Sequence, residues 1–426
     1  MNVGVIGAGY VGLTISAVFA KWGHDVYCVE KEDEKVEDLK AGRIPIYEPG
    51  LEEWIKESLE KGKLVFTTDL AEAVKACHLL FIAVGTPEGP NGEPNLDFIE
   101  QIINELVPLI TQPKIIVTKS TVPIGTNEWI KNKLIHAGVR SQFITVVSNP
   151  EFLREGTAIH DMCQPDKIII GTDQVEAVEQ LKELYQEINA PYLITSLAGA
   201  EMIKYTANSF LAMKISFINE IARICDAYQV DVTEVAKGIG MDPRIGSSFL
   251  QAGLGYGGSC FPKDVKALEY AAKQKEITPH LLQATQLINE EQLSLYCQKL
   301  RKSLTNFPDV SIAVWGATFK PNTDDIRNSQ AVKLINLLTR KGCRVHVYDP
   351  VASISIQEVT VHSSIYESIK GRDGLVIATE WEMFHTVDWT LISKWMKGKV
   401  VLDCRNVIDP LLLKEHGFEY VGVGRP

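Results

Sequence analysis

The chain has 426 residues, 45% of them hydrophobic and 23% charged, with 54 acidic against 43 basic residues and a net charge of −11. That length exceeds what one core usually serves, so two or three domains are expected of an ordinary globular protein. The acidic balance argues against a nucleic-acid partner, which would need a basic face, but leaves room for a small anion held by a few local cations.

The first predicted elements form the clearest unit. A short apolar strand, Val3–Ile6, runs into Gly7-x-Gly9-x-x-Gly12, then an apolar helix to about Trp22, with Gly23 as its stop. A second strand, Asp25–Val29, ends at Glu30. This is a strand–helix–strand unit carrying a dinucleotide fingerprint in its required context. Gly7 permits the tight turn, Gly9 lets backbone approach a pyrophosphate, Gly12 lets helix and strand pack, and the first helical N–H groups, from Tyr10 and Val11 onward, face the phosphates. Glu30 suits a ribose 2′-OH and would repel a 2′-phosphate, so NAD is favoured over NADP, with Lys35 flanking the adenosine. An incidental glycine-rich turn is the plain alternative.

Further strand-like runs follow at 64–68, 78–84, 114–120, 143–149 and 166–171, with amphipathic segments between them. This alternation predicts a parallel sheet with helices on both faces. From Leu197 to about Val230 the chain contains no proline and reads as one helix of over thirty residues, well beyond the usual length. A helix that long joins domains or packs on a partner chain. A second helical tract, 264–303, is interrupted at Pro279. A second strand–helix–strand unit then runs through Gly316, Gly342 and Asp349 without the three-glycine fingerprint, and strands at 373–381 and 399–406 follow. The expected fold is α/β, two Rossmann-like doubly wound parallel-sheet domains joined by a long central helix. The expected divisions are an NAD-binding domain over 1–196, a helical linker and dimerisation region over 197–303, and a nucleotide-sugar-binding domain over 304–426.

The eight cysteines show no CxxC pair and no Cys/His cluster, so neither a disulfide framework nor a metal site is suggested. A strand signal already at Val3 and the lack of an apolar run of about 18 residues lead to the expectation of a cytoplasmic protein without membrane contact. Most cysteines read as small buried hydrophobes. Cys260, in GYGGSCFPKD (255–264), is set differently. Gly257 and Gly258 would let a ligand approach the backbone, Lys263 would favour a thiolate, and Asp264 would orient a water or accept a proton. A thiolate beside bound NAD has a use: it adds to an aldehyde, and the adduct is oxidised to a thioester that water cleaves. Lys204 and Asn208, spaced i, i+4, share a helix face and suit an oxyanion, although a lysine on an apolar helix is also an ordinary snorkelling charge.

With these residues quoted, the chain resembles the UDP-glucose/GDP-mannose dehydrogenase family over essentially its whole length. The resemblance rests on GAGYVG (7–12), IYEPGL (46–51), GTP (85–87), KSTVPIGT (119–126), NPEFLREGTA (149–158), KYTANSFLA (204–212), FLQAGLGYGGSCFPKD (249–264) and FKPNTDDIRNS (319–329). It implies a four-electron oxidation of a sugar 6-CH₂OH to a carboxylate, with two NAD reduced per sugar. On that resemblance Cys260 is the nucleophile, Lys204 and Asn208 stabilise the oxyanion, Asp264 activates water, and Thr121 positions a water or proton relay. Glu151 is an acid/base candidate and Glu155 lies near the nicotinamide. Thr86, Thr121, Lys263 and Arg327 fall at cofactor contacts. Glu151, Phe152, Leu153, Glu155, Phe249, Leu250, Gln251, Ala252, Gly253, Gly257 and Lys320 fall at sugar-nucleotide contacts. Arg244 resembles an arginine supplied by a neighbouring subunit, which implies a homodimer through the central helix. Glu30 stands where an aspartate is common in the family.

The version of the cysteine motif looks more like that of the family's UDP-glucose enzymes. A GDP-mannose or other UDP-hexose enzyme, a two-electron dehydrogenase and a non-enzymatic NAD-binding redox sensor remain the alternatives.

Overall fold

A computed structural model describes residues 1–425. The chain divides into two compact units, Met1–Ala207 with Tyr270–Lys275, and Asn208–Glu269 with the chain from Glu276 onward. The helix Leu197–Tyr228, 32 residues long, starts in the first and ends in the second, as the unbroken helical pattern of that stretch predicts.

In the first unit, strands β1 (Asn2–Ile6), β2 (Asp25–Val29), β3 (Leu64–Thr67), β4 (Leu79–Ile82), β5 (Lys114–Thr118), β6 (Ile144–Ser148), β7 (Ile168–Gly171) and β8 (Tyr192–Thr195) form one sheet. Their order is β3-β2-β1-β4-β5-β6-β7-β8. The order reverses between β1 and β4, the switch point at which open α/β sheets bind ligands. Strand alternation puts Leu79 and Phe81 into one apolar cluster and Leu80 and Ile82 into another, so β4 is buried on both faces. The sheet departs from the expected all-parallel arrangement at one seam. β6 meets β7 antiparallel, through Ser148 and Gly171, and β8 then runs parallel to β7.

In the second unit, β9 (Ser311–Trp315), β10 (Arg344–Tyr348), β11 (Val359–Val361), β12 (Gly374–Ile377), β13 (Val400–Asp403) and β14 (Glu419–Val421) form a parallel sheet. Its order, β11-β10-β9-β12-β13-β14, repeats strand for strand the first six of the other sheet. The equivalence extends to hydrogen bonds. Gly7 (φ +105°) donates its N–H to Val29 O, and Gly316 (φ +88°) donates to Tyr348 O, both at 2.8 Å. Each is the residue after its sheet's first strand, in a left-handed conformation that glycine tolerates.

Ile218, Ala222 and Cys225 of the long helix pack into the core on one face of this second sheet. Met202, Phe210, Phe217, Ile224 and Tyr228 of the same helix are exposed. The helical tract expected over 264–303 is two helices, Phe261–Lys273 and His280–Ser303, parted at Pro279. No helix among the described residues is long and apolar enough to cross a membrane.

Candidate active site

The candidate residues fall into two groups, one in each unit. In the first unit, the loop after β1 leads into the helix Tyr10–Lys21, and its three glycines answer different constraints. A Cβ on Gly12 would lie 1.8 Å from Gly7 O, and one on Gly7 would lie 2.8 Å from Ala83 O, so both are needed for packing. A Cβ on Gly9 would meet nothing within 4 Å. Gly9 is the open face of the loop, with Tyr10 and Val11 beginning the helix beside it.

Glu30 follows the last residue of β2. Its Oε1 accepts the N–H of Lys31 at 2.8 Å and its Oε2 accepts Lys35 Nζ at 2.7 Å. Burial pushes the carboxyl up, but the Lys35 hydrogen bond and charge and the backbone N–H groups of Lys31 and Glu32 outweigh it and hold it below its ordinary range. Lys35, expected to flank an adenosine, is thus the partner that keeps Glu30 anionic.

Beyond the switch point, Thr86 is buried and donates its hydroxyl to Thr121 O at 2.8 Å. This ties the loop after β4 to the loop after β5. The NPEFLREG loop after β6 bends back on itself, with Leu153 N–H donating to Glu151 Oε2 at 2.5 Å. Glu151 Oε1 accepts Lys204 Nζ at 3.0 Å, and the two side chains are only 7% and 4% exposed. A buried pair of this kind is not a snorkelling surface lysine. The Phe152 ring carries Lys204 Nζ at 5.2 Å and Lys167 Nζ at 4.6 Å. Glu155 is half-buried on the same loop.

In the second unit, Cys260 immediately precedes the helix Phe261–Lys273, and its carbonyl accepts Asp264 N–H at 2.9 Å in the first turn. The Sγ is half-buried and 3.6 Å from Ser259 Oγ. Asp264 is fully buried, with Asn208 Nδ2 at 2.6 Å on one oxygen and Lys263 Nζ at 2.6 Å on the other. Asn208, Lys263, Asp264 and the helix carrying Cys260 therefore form one network. Lys263 spends part of its charge on Asp264 rather than acting on the thiol alone.

The chain before the cysteine is packed closely by the protein itself. Gly257 and Gly258 are constrained by packing. A Cβ on Gly257 would lie 2.6 Å from Asn328 O, and one on Gly258, already at φ +82°, would lie 2.8 Å from the Phe319 ring. The protein's own FKPNTDDIRNS segment fills that space. Upstream, Phe249 has φ +65°, and its ring centroid lies 6.1 Å from that of Phe261 in a tilted pair. Leu250, Ala252 and Gly253 are buried while Gln251 is exposed. Gly253 N–H donates to Asn219 Oδ1, and its carbonyl accepts Gln292 Nε2, both at 2.8 Å. Lys320 Nζ lies 5.7 Å from the Phe319 ring.

Two predicted arginines each fork onto an aspartate two residues earlier in the chain. Arg327 is forked onto Asp325 at 2.7 and 2.8 Å, and Arg244 onto Asp242 at 2.6 and 3.0 Å, the latter side chain 88% exposed. Other residues were missed in the sequence reading. Glu48, in the quoted IYEPGL, accepts Gly156 N–H at 2.5 Å and Ala158 N–H at 2.8 Å, while Tyr10 OH accepts Gly156 N–H at 2.7 Å. Buried Glu201, three residues before Lys204, accepts the N–H groups of Gly125 and Asn127 at 2.6 and 2.8 Å. It caps the helix Thr126–His136, which follows the Thr121 loop. Their only signal was an acid inside an otherwise apolar context.

Residues 1–189 match the NAD-binding domain of the UDP-glucose/GDP-mannose dehydrogenase family, 198–291 its central domain and 313–410 its UDP-binding domain. The chain belongs to that family. It is an NAD-dependent oxidoreductase, and several of its relatives are named UDP-glucose 6-dehydrogenase. YtcA of Bacillus subtilis is 49% identical over 100% of both chains. The UDP-glucose 6-dehydrogenase of Pseudomonas aeruginosa is 41% identical over 100% of this chain and 98% of its own. A UDP-glucose dehydrogenase from Pyrobaculum islandicum has the same fold, with TM-score 0.91 and 36% identity over 100% of this chain and 98% of that one. The first unit of this family member fits NAD on its own geometry: an open backbone at Gly9, a helix N-terminus beside it, and an anionic Glu30 at the end of the adjacent strand.

Proposed function

We propose that this chain is an NAD-dependent UDP-glucose 6-dehydrogenase that converts the C6 alcohol of UDP-glucose to the carboxylate through covalent intermediates on Cys260. The observation that carries the reading is the cysteine's setting. Its sulfur stands at a helix N-terminus, three residues before Lys263, and its helix bears a buried Asp264 held by Asn208. The thiolate is the form of a cysteine that adds to an aldehyde, and a helix N-terminus is the end that attracts an anion.

Bound NAD would supply the acceptor for two electrons in each of the two oxidations. The protein's residues do the rest. Glu151 or a water held by Thr121 takes the C6 hydroxyl proton, and the Lys204 ammonium opposes the charge that develops on oxygen. The Cys260 thiolate then adds to the aldehyde carbon, forming a C–S bond and an alkoxide stabilised by Lys204 and Asn208. After the second oxidation the product on sulfur is a thioester. A water oriented by Asp264 attacks it, the C–S bond breaks, and Cys260 leaves as the thiolate. Glu30 and Lys35 bind the adenosine ribose, with Thr86, Glu155, Lys263 and Arg327 as further cofactor contacts. Phe152, Leu153, Phe249 to Gly253, Gly257 and Lys320 contact the UDP-sugar.

The reading extends to assembly. Phe210, Phe217 and Ile224 repeat at seven-residue spacing on the exposed side of the long helix, an apolar stripe suited to the same helix of a second copy. Exposed Arg244 is then available to the partner's sugar site. Residues 1–196 serve NAD, 197–303 dimerisation and 304–426 the UDP-sugar. None of the eight cysteines is in a disulfide, in keeping with a reducing cytoplasm.

The test is a panel of nucleotide sugars assayed for NADH, with the product's carboxylate identified. UDP-glucose should be preferred and should yield two NADH per sugar. One NADH per sugar would remove the need for a nucleophilic cysteine.

A further inference from the structure

Two buried lysines bracket strand β5, and only one of them has a purely structural explanation. Lys114, its first residue, gives its ammonium to the carbonyls of Val74 and, at 2.6 Å, Cys77. These close the helix Leu70–Ala76, whose C-terminal end attracts a cation. Lys119 lies past the other end of β5, the carboxyl end at which open α/β sheets place ligands, two residues before Thr121.

Lys119 Nζ donates to Asn149 Oδ1 at 3.0 Å and to Tyr185 OH at 3.3 Å. Tyr185 OH donates to the same Asn149 oxygen at 2.6 Å, and Asn149 Nδ2 donates to Ile169 O at 2.7 Å. Asn149 stands two residues before Glu151. A single ammonium thus joins the loop carrying Thr121 to the loop carrying Glu151, and its direct partners are neutral. The charged groups that act on it are Glu151, which favours the ammonium, and Lys204, which opposes it. An isolated charge among neutral acceptors is expensive to bury and needs a reason.

We propose that Lys119 is a positioning residue of the oxidation: its ammonium clamps the Thr121 and Glu151 loops together and adds positive potential at the Glu151–Lys204 pair. That potential has the sign an oxyanion needs. The inference rests on reading Glu151 and Lys204 as reaction-site residues. As a neutral amine Lys119 keeps N–H donors for Asn149 and Tyr185, so the clamp survives deprotonation and the potential does not. Burial, with Lys204 adding to it against Glu151, lowers the ammonium to about 8. The charge is therefore lost within a working pH range.

The test follows kcat from pH 6.5 to 9.5 in the wild type, Lys119→Arg and Lys119→Met, with NAD affinity measured for each as a check of the folded first unit. Wild-type kcat should fall as pH rises through about 8. Lys119→Arg, whose guanidinium stays charged, should lose that fall. Lys119→Met should have kcat lower by on the order of tenfold at neutral pH, with no step near pH 8. The Met variant keeps the test open should the larger Arg disrupt the site. An unchanged alkaline limb in Lys119→Arg, or unchanged kcat in Lys119→Met, overturns the proposal. Lys204→Ala run alongside separates the failures. Normal turnover there overturns the site reading and this proposal with it, whereas an impaired Lys204→Ala beside an unaffected Lys119→Met overturns the Lys119 role alone.

Discussion

Glu30 and Asp349 hold the same place in the two sheets, each the first residue past its sheet's second strand, yet their carboxylates face opposite ways. Glu30 takes Lys35 and its own following amide, which leaves the glycine loop uncovered. Asp349 turns onto the loop after β9, accepting Ala317 N–H at 2.7 Å and Thr318 N–H at 3.2 Å, with Val351 and Ala352 N–H on its other oxygen. In the second sheet the protein's own carboxylate satisfies the amides that would otherwise face an anion.

The two carboxylates should therefore separate in mutation. Asp349→Ala leaves several N–H groups without their acceptor and should lower the stability of the second unit by about 2 kcal/mol or more, with NAD affinity unchanged. Glu30→Ser should leave the melting temperature nearly unchanged, weaken NAD binding and narrow the preference over NADP. Denaturation curves and titrations with both cofactors check this.

Gly9 and Gly12 should also behave differently, although both belong to one motif. Gly9 has ordinary extended angles, φ −82° and ψ −168°, and open space around it, so Gly9→Ala should fold normally and lose NAD affinity. Gly12→Ala would force a methyl to 1.8 Å from Gly7 O, so it should destabilise the first unit outright. A Gly12→Ala protein with unchanged melting temperature would contradict the packing described.

On the proposed mechanism, Lys204→Ala removes a cation that opposes the oxyanion and should lower kcat by on the order of 10²–10³. It also leaves Glu151 buried and unpaired, a loss of about 3–5 kcal/mol when a buried pair is broken. Cys260→Ser should reduce turnover by a factor on the order of 10³ or more while leaving stability near wild type. Rapid-mixing kinetics with denaturation curves distinguish the two effects.

The depressed Lys119 ammonium makes a stability prediction with a definite sign. Its folded value is about 8 against an ordinary 10.5. Between those pH values the unfolded chain binds the extra proton, so stability contributed by this group rises with pH through the window and is lost as pH falls through it. Subtracting the denaturation profile of Lys119→Met from that of the wild type should isolate this rise.

The sequence was most legible where burial is two-sided. β1, β4, β5 and β6 are apolar runs because both faces are covered. β8, β11 and β14 escaped notice because each lies at a sheet edge and none of its residues is buried, so no apolar signal marks them. The antiparallel seam at β6–β7 was equally hidden, since alternation reports burial and not strand direction.

By itself the sequence determined the dinucleotide loop, the repeated strand–helix–strand units, the long helix and the glycine-flanked position of Cys260 just before a helix, because these depend on residues within a few turns of one another. Only the tertiary structure decided that Gly257 and Gly258 make room for Phe319 and Asn328, that Asp349 closes its own loop, and that Lys119 reaches Asn149 and Tyr185. Those partners arrive from 30 to 71 positions away along the chain. Local periodicity carries no information about which distant group will satisfy a buried donor or fill the space over a glycine.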